Sequence, residues 1–370
     1  MLTIGVEEEF FVFDRVKRDF AADGLPGFNL LKEQNPSGDG ICRFDDEFQL
    51  SIVESRTGIC RDLKQVQVEV QELRHMLIRT TTGSELTIVA AGTLPLGSWR
   101  SARIMDKPRY EEIDQHYHEV ARRRATCGCH IHIGIADRDV AVQVLNRVQP
   151  WLPTLLALSA SSPFYEEADT GYQSFRSLLW GGFPVAGIPQ PFSSYQEYLR
   201  RIQVLIDTGS ILDPGHTYWD ARLGVKYNTL EFRLADACTS VDEVLLQAGL
   251  CRALVLTCLN EVKNSRPLSA AQPELIRAAT WRAARSGLDD ELIDVVAEEK
   301  VTASTMLDRF LTYLRNALEE LGDWEEISDL VEQTRQRGTS ARRQHHVLAR
   351  TGRLEDVLHA LAVETASNRQ

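Results

Sequence analysis

The chain has 370 residues, of which 43% are hydrophobic and 25% are charged, proportions typical of an ordinary globular protein. The 41 Lys and Arg residues against 53 Asp and Glu residues give a net charge of −12, which disfavours nucleic acids and anionic membranes as partners. The first residues lack the basic and apolar regions of a signal peptide, and no run reaches the roughly 18 apolar residues of a membrane span, so we expect a cytoplasmic protein.

The first part of the chain mixes strand-like runs with one loop and two helices. A Gly-, Pro- and Asp-rich segment, 21–40, is typical of a loop that crosses a surface. Apolar residues at helical spacing predict a helix over 63–82, and 86–91 has the character of a short buried strand. Residues 109–124 are again typical of a helix, which leads into the motif CGCHIHIGI.

The second part begins with a helix candidate over 137–159, which Pro150 and Pro153 should kink near Trp151. Residues 160–194 predict a long irregular segment of the kind that usually serves a site, and 218–235 returns to strand character. Helical patterning then dominates to the end, and it predicts helices over 241–263, 270–284, 290–298, 301–321, 324–336 and 353–366.

This order of elements favours one fold class. Strands first and helices last, without regular βαβ alternation, predict an α+β fold with an antiparallel sheet rather than a doubly wound fold. The chain contains neither GxGxxG nor GxxxxGK[ST], so the sequence does not indicate Rossmann or P-loop phosphate binding.

The first strand candidate, TIGVEEEFFVF, carries two carboxylates on the same face. Side chains alternate along a strand, so Glu7 and Glu9 project together while the apolar residues project to the other side. Glu8 falls on the apolar side. We therefore expect Glu8 at a sheet edge or in an ion pair rather than in catalysis.

Two later strand candidates repeat this pattern. CGCHIHIGI places His130 and His132 on one face, and NTLEFRLAD places Glu231 and Arg233 on one face. Carboxylates and imidazoles are ligand types for Mg²⁺ or Mn²⁺, and a guanidinium suits phosphate. Bound metal would also allow an acidic protein to receive anionic substrates.

Residues 45–55, DDEFQLSIVES, add Glu47 and Glu54 to the carboxylates. The two lie seven residues apart, an odd separation on a period-2 strand. Both can therefore reach one site only if a bulge or bend intervenes.

The polar faces have an ordinary explanation as well. Any half-buried antiparallel strand has a face in water, although solvent faces usually favour mixtures of Lys, Thr and Ser over carboxylate, imidazole and guanidinium pairs. From the residues alone both interpretations stay open.

The CxC spacing of Cys127 and Cys129 does not indicate zinc, since no second half-site completes four ligands. An odd count at low density predicts free thiols for all the cysteines: Cys42, Cys60, Cys127, Cys129, Cys238, Cys251 and Cys258.

Six segments together resemble one known family. TIGVEEEFFVFD, CGCHIHIGIADRD, VLNRVQPWLPTLLALSASSPF, DTGYQSFRS, YWDARLG and NTLEFRLADACTSVDE, in this order and spacing, are similar to the bacterial glutamate–cysteine ligase type 2 or carboxylate–amine ligase family. The match runs from about residue 2 to residue 365. It implies a glutamine synthetase-like fold, in which a curved antiparallel sheet forms a half-barrel with helices on its outer face. We expect a single catalytic domain over 1–370, strand-rich over 1–240 and helical over 241–370.

The resemblance also assigns roles to particular positions. It implies metal binding by Glu7, Glu9, Glu47, Glu54, His130 and Glu231. It implies ATP binding by His132, Arg222, Lys226 and Arg233. It implies catalytic roles for Glu54, Arg176 and Arg233, and substrate contacts for Tyr172, Arg176 and Asp220.

One position departs from the family pattern. After Arg222 the family usually reads Pro-Ser-X-Arg, whereas this chain reads Leu-Gly-Val-Lys, ending at Lys226. A lysine is a point charge in place of a bidentate fork, so anion geometry there should differ. The departure bears on substrate identity more than on reaction class.

The implied reaction is ATP-dependent formation of an amide, with Mg²⁺ or Mn²⁺ as cofactor and amino acids as substrates. Glutamate and cysteine would give γ-glutamylcysteine, and another amine acceptor is an alternative. Phosphotransfer on the same scaffold and a non-catalytic metal- or nucleotide-binding protein are further alternatives. The oligomeric state, a homodimer included, stays open.

Overall fold

The computed structural model describes residues 2–36, 43–269 and 271–367. Three expectations therefore fall partly outside the described residues: the thiol of Cys42, the end of the predicted loop at Gly40 and the start of a predicted helix at residue 270.

The strands within the described residues form one main sheet and two separate hairpins. The main sheet contains β1 (Ile4–Asp14), β2 (Asp19–Phe20), β3 (Phe44–Asp46), β4 (Ile52–Arg56), β5 (Leu86–Val89), β6 (Cys129–Gly134), β9 (Ala221–Leu223) and β10 (Thr229–Phe232). The hairpins are β7 (Phe164–Tyr165) with β8 (Ala168–Asp169), and β11 (Glu291–Asp294) with β12 (Glu299–Thr302).

Helices make up most of the rest, and they dominate the last third of the chain. They are α1 (Phe28–Gln34), α2 (Leu63–Thr80), α3 (Pro108–Tyr117), α4 (Glu119–Arg122), α5 (Arg138–Val148), α6 (Leu152–Ser159), α7 (Phe175–Trp180), α8 (Tyr195–Asp207), α9 (Val241–Lys263), α10 (Pro273–Ser286), α11 (Ala303–Leu321), α12 (Trp324–Arg337), α13 (Ser340–Thr351) and α14 (Leu354–Ala366).

The paired strands of the main sheet are antiparallel and follow the order β3-β4-β1-β6-β10-β9. Strand β1 is long enough to pair also with β2 and β5 near its end, again in antiparallel fashion. The predicted α+β class with an antiparallel sheet is therefore confirmed.

One face of the sheet is covered by helices. Ile4 and Val6 of β1 and Ile131 of β6 are buried in an apolar cluster that also includes residues of α2, α5, α9 and α11. The helix α9 is apolar on nearly every side, which is typical of a helix at the centre of a core.

The opposite face is apolar only toward the end of β1. There Phe11 and Phe13 pack with Val89 and with Val357 and Leu361 of α14. The first half of β1 therefore has a core on one side and a second side on which polar groups are retained.

Glu8 forms a buried ion pair on the core side. Nη2 of Arg74 lies 2.6 Å from Oε1 of Glu8, and both side chains are at most 4% exposed. Arg74 also donates hydrogen bonds to the carbonyl oxygens of Cys238 and Thr239, so most of its donors have partners. Of the two positions that the sequence predicts for Glu8, the ion pair is confirmed and the sheet edge is wrong, since β1 lies inside the sheet.

The cysteines within the described residues form no disulfide and are all buried: Cys60, Cys127, Cys129, Cys238, Cys251 and Cys258. Burial raises the pKa of the Cys127 thiol well above its ordinary value, which keeps it protonated. Among the helices that the structure describes, none has the length and apolar character needed to cross a bilayer.

Most of the predicted helices are confirmed within a few residues. The candidate over 137–159 is divided as predicted, since a 3₁₀ turn at Gln149–Trp151 separates α5 from α6. The candidate over 109–124 is interrupted at His118, whose φ of 50° ends α3 and allows α4 to begin in a new direction.

The helix predicted over 290–298 is wrong, because this segment forms the hairpin of β11 and β12. Oδ1 of Asp294 accepts hydrogen bonds from the backbone N–H groups of Val296 and Ala297, which reverses the chain. Glu298 takes a left-handed φ of 55° in the same turn. The apolar spacing resembles that of a helix, but this side chain-to-backbone turn decides the conformation.

Among the described residues, four helices have no counterpart in the sequence prediction. α1 lies inside the segment interpreted as a loop, and α8 and α13 lie in segments for which the sequence predicts no element. α7 and the hairpin of β7 and β8 lie inside 160–194, so the prediction that this whole segment is irregular is wrong. A signal for α8 is nevertheless present, because Ser194 precedes it and accepts a hydrogen bond from the N–H of Glu197 in a Ser-X-X-Glu pattern.

Candidate active site

The strand register brings the predicted polar residues to one face. The paired positions across neighbouring strands are Glu9 with Glu54, Glu7 with His130, and His132 with Glu231. Residues directly opposite each other in an antiparallel sheet project to the same side. Four strands, β4, β1, β6 and β10, therefore present one continuous polar surface, which we call the acidic face.

Glu7 lies at the centre of the acidic face. Its Oε2 is 3.3 Å from Nδ1 of His130, and its Oε1 is 3.4 Å from Nε2 of His132 and 3.3 Å from Nε of Arg56. Burial acts to raise the pKa of Glu7, but the two histidines and Arg56 outweigh it and hold this pKa well below its usual range. Glu7 is therefore an anion at neutral pH.

Within the described part of the chain, two sets of ligand atoms on the acidic face have the spacing of a cation site. One oxygen or nitrogen from each of Glu7, His130 and Glu231 lies within 4.8 Å of the others, and the same holds for Glu9, Glu54 and His130. Nε2 of His130 is buried and has no hydrogen-bond partner among the described residues. Carboxylate oxygens with an imidazole nitrogen that lacks a partner fit Mg²⁺ or Mn²⁺.

The pKa shifts of Glu9 and Glu54 also support the fit of these residues to a divalent cation. Burial, followed by the nearby Glu47, raises the pKa of Glu9 to about 7, although Arg176 and Arg124 oppose the shift. Burial and the nearby Glu7 raise the pKa of Glu54 well above its ordinary value. Buried carboxylates that repel one another are the environment that a divalent cation relieves.

Glu231 is held between two arginines. Nε of Arg222 donates to one carboxylate oxygen at 2.8 Å, and Nη1 of Arg233 forms a short hydrogen bond with the other. Burial acts to raise the pKa of Glu231, but Arg222 and Arg233 outweigh it and lower this pKa. Arg222 donates also to the carbonyl oxygens of Gly215 and Thr217, so it orients Glu231 in this structure.

Glu47 reaches the region from a different segment than Glu54. It follows β3, while Glu54 lies within β4, and the chain turns between them. The register pairs Asp45 with Glu54, which places the alternate residues of β3 on the acidic face. The bend that the odd spacing required is therefore the turn of a hairpin.

Arg176 lies beside the acidic face, against Gly128, and is 2% exposed. Its two terminal nitrogens donate to the carbonyl oxygens of Leu234 and Arg233, and Asp236 lies 4.0 Å away. The space for this guanidinium exists because residue 128 is glycine, where an added Cβ would lie 2.3 Å from Nη2 of Arg176.

We predict that Gly128→Ala lowers the free energy of unfolding by about 1–3 kcal/mol, because the new methyl group overpacks a guanidinium that cannot move away from its carbonyl partners. Urea denaturation measures this change. The control is Gly182→Ala, whose added Cβ would come no closer than 3.4 Å to a neighbouring atom. Equal midpoints for the two variants would contradict the packing argument.

A cavity of about 260 Å³ adjoins the acidic face. Its walls include Arg176, Trp180, Tyr218, Asp220, Arg233 and Trp281. Oδ2 of Asp220 is buried without a hydrogen-bond partner among the described residues, and burial raises the pKa of this carboxyl to about 6 despite Arg176. The predicted substrate residue Tyr172 lies behind the wall, where its hydroxyl accepts a hydrogen bond from Nε1 of Trp281 at 3.3 Å.

The remaining two predicted ATP-binding positions differ in their placement. His132 lies on the acidic face, 3.3 Å through Nδ1 from the hydroxyl of Thr229. Lys226 is exposed in the turn between β9 and β10, beyond Thr229. His132 therefore lies among the carboxylates of the acidic face, whereas Lys226 lies in an exposed turn.

Sequence reasoning misses two cations beside these carboxylates. Arg56 forms ion pairs with Glu7, Asp45 and Glu54. It lies two residues after Glu54 on β4, and this spacing alone predicts that the two side chains share a face. Arg124 follows α4, in a segment whose helical pattern gives no indication of a site, and it lies close enough to lower the pKa of Glu9.

Comparison with known proteins gives consistent results. The family described as glutamate-cysteine ligase family 2 matches residues 3–360. A protein of Frankia casuarinae with the provisional name glutamate–cysteine ligase 2-2 is 40% identical over 99% of this chain, but the chain spans only 42% of that relative. A protein of Frankia alni with the same provisional name is 37% identical, with 99% of this chain and 97% of the relative covered.

A solved structure shares the fold. The crystal structure of a glutamate–cysteine ligase from Francisella tularensis, in complex with AMP, matches 99% of this chain and 89% of its own chain. The TM-score is 0.72 at 11% sequence identity, which establishes likeness of fold.

Proposed function

The chain belongs to glutamate-cysteine ligase family 2, and on that premise we propose that it is an ATP-dependent ligase that joins a carboxylate to an amine, with glutamate as the carboxylate and cysteine as the amine. The observation that carries the proposal is the acidic face, on which four neighbouring strands gather the carboxylates and imidazoles Glu7, Glu9, Glu54, His130, His132 and Glu231.

The proposed reaction has two steps. An oxygen of the γ-carboxylate of glutamate attacks the γ-phosphorus of ATP, the bond from that phosphorus to the bridging oxygen breaks, and ADP leaves. The amine nitrogen of cysteine then attacks the acyl carbon, the bond from carbon to the phosphate oxygen breaks, and the nitrogen loses a proton. The products are an amide, ADP and inorganic phosphate.

We propose that the two sets of ligand atoms centred on Glu7 and Glu9 hold Mg²⁺ or Mn²⁺, which neutralises phosphate and carboxylate oxygens when bound. Glu47 reaches the same region from the turn after β3. The raised pKa of Glu9, about 7, supports this role, since the free carboxylates repel one another.

The arginines have separate proposed tasks. Arg233 lies at the boundary between Glu231 and the cavity, where it can offset the charge that builds on the transferred phosphoryl group. Arg222 holds Glu231 in place, and Arg176 supports the cavity wall beside Asp220. Asp220 is the carboxylate of the cavity, and an ammonium group of a substrate would give its buried oxygen a partner.

The test is a turnover assay in which ADP, inorganic phosphate and amide are all measured. With ATP, glutamate, cysteine and Mg²⁺ we expect the three products in equal amounts, and none when EDTA removes the metal. Restoring Mg²⁺ or Mn²⁺ should restore turnover. The family assignment leaves the amine open, so the assay is repeated over amino acids in pairs.

Three results would contradict the proposal. ADP formation without released phosphate would indicate phosphotransfer to a stable acceptor. Full activity in excess EDTA, in protein shown by elemental analysis to hold no divalent metal, would remove the metal role of the acidic face. A reaction without ATP would exclude the ligase class.

A further inference from the structure

Arg124 is a half-buried arginine that lies over a group of aromatic rings. Its guanidinium carbon is 4.2 Å from the ring centre of Trp180, 5.6 Å from that of Phe183 and 5.9 Å from that of Tyr218. Stacking on rings fixes the plane of a guanidinium and leaves the N–H groups at its edge available to a planar anion.

The hydrogen bonds of Arg124 distinguish it from the other arginines near the acidic face. Arg56, Arg222 and Arg233 each contact a glutamate, and Arg176 donates to two backbone carbonyls. Among the described residues, the guanidinium of Arg124 has no carboxylate within 4.0 Å and donates no hydrogen bond. A half-buried cation without an anion is energetically unfavourable, unless a ligand provides the anion.

The position of Arg124 indicates the class of ligand that would provide the anion. On one side, Arg124 precedes by four residues Gly128, whose backbone N–H donates a hydrogen bond of 2.5 Å to Oε2 of Glu9. On the other side are Trp180 and Tyr218, the rings on which it stacks, and both line the cavity that holds Asp220. A substrate between the acidic face and the cavity would thus meet a guanidinium on one wall and a carboxylate on another. This pair matches the two ends of an α-amino acid.

We propose that Arg124 is a specificity-determining residue that binds the α-carboxylate of an amino-acid substrate. This inference rests on the proposed ligase function. The α-carboxylate belongs either to the glutamate that is activated or to the amino acid that supplies the amine. Arg124 would bind the α-carboxylate in the same way in both cases. Analogues of glutamate and of cysteine that lack only the α-carboxylate therefore show which of the two substrates Arg124 binds.

The experiment compares wild type with Arg124→Met, which keeps an apolar stem over Trp180 and removes the charge. The glutamate arm uses glutamate and 4-aminobutanoate, which retains the reacting carboxylate and lacks the α-carboxylate. The cysteine arm uses cysteine and cysteamine, which retains the amine and lacks the carboxylate. We expect Arg124→Met to lower kcat/KM at least about tenfold for the intact substrate of one arm, and to leave the truncated substrate of that arm nearly unchanged.

The matched control is Arg123→Met. Arg123 lies one residue earlier, its guanidinium carbon is 5.6 Å from the ring centre of Trp99, and it forms an exposed ion pair with Glu119. It therefore shares an aromatic contact, but the ring that it contacts does not line the cavity. We expect this variant to retain wild-type kcat/KM for every substrate, and circular dichroism should show the same fold in all three proteins.

Calorimetric binding of the same four compounds gives a result that does not depend on turnover. If wild type proves inactive, the proposed function fails, but a selective loss of glutamate or cysteine binding in Arg124→Met still supports the inference. Three results overturn it: equal losses for intact and truncated substrates in both arms, an increase confined to the KM for ATP, or equal behaviour of the Arg123 and Arg124 variants.

Discussion

Glu231→Gln should lower kcat/KM at least about 10²-fold at saturating Mg²⁺ while the fold stays intact. The substitution keeps the shape of the side chain and removes its charge. Glu231 belongs to one set of spaced ligand atoms and is the counter-charge of Arg222 and Arg233. A loss of this size is typical when one group that stabilises transition-state charge is removed. The measurement is ADP formation at several metal concentrations.

The matched control for Glu231→Gln is Glu243→Gln. Glu243 lies on α9 and is also buried and held by two arginines, Arg337 and Arg343. It lies outside the acidic face, so its substitution should lower stability and leave turnover per folded molecule unchanged. Near-wild-type turnover of Glu231→Gln at saturating Mg²⁺ would remove Glu231 from the reaction. Equal losses in both variants would indicate a purely structural effect.

The second large effect should be on stability. Glu8→Gln removes the charge that neutralises Arg74 inside the core, and both side chains are at most 4% exposed. Loss of one partner of a buried ion pair typically costs about 3–5 kcal/mol, because the other charge is left without compensation. We expect the urea midpoint to fall by a corresponding amount with an unchanged slope.

Glu319→Gln is the comparison for this measurement, since Glu319 pairs with Arg315 on the exposed surface of α11. Solvent screens such a pair, so the midpoint of this variant should stay close to that of wild type. A Glu8→Gln midpoint no lower than that of Glu319→Gln would show that the ion pair contributes little to stability.

The sequence is sufficient to predict which side of each strand carries the polar groups. Alternation alone places Glu7 with Glu9 and His130 with His132. It does not show how the strands align, because register depends on pairing between segments far apart in the chain. The contact between Glu9 and Glu54 is such a case: it requires both the position of β4 beside β1 and the turn after β3.

Other features escape sequence reasoning because their cause is not periodic. The turn at Asp294 depends on one carboxylate that accepts two backbone hydrogen bonds, and apolar spacing gives no sign of it. Arg124 is defined by rings that come from α7 and from segments far along the chain, so only the folded arrangement identifies it. The roles assigned to all the site residues, including Tyr172, Arg176, Asp220 and Lys226, stay predictions.

The three consecutive glutamates of β1 also bear on how the chain avoids misfolding. A shift of β1 by one residue against its neighbours would turn Glu8 outward and drive Glu7 and Glu9 among the aliphatic side chains. Arg74 would lose its counter-ion at the same moment that Glu7 lost His130 and Glu9 lost the N–H of Gly128. A shifted register of β1 would therefore leave three charged groups without partners. The run of three glutamates that supplies two carboxylates to the acidic face thus also favours the native register of β1.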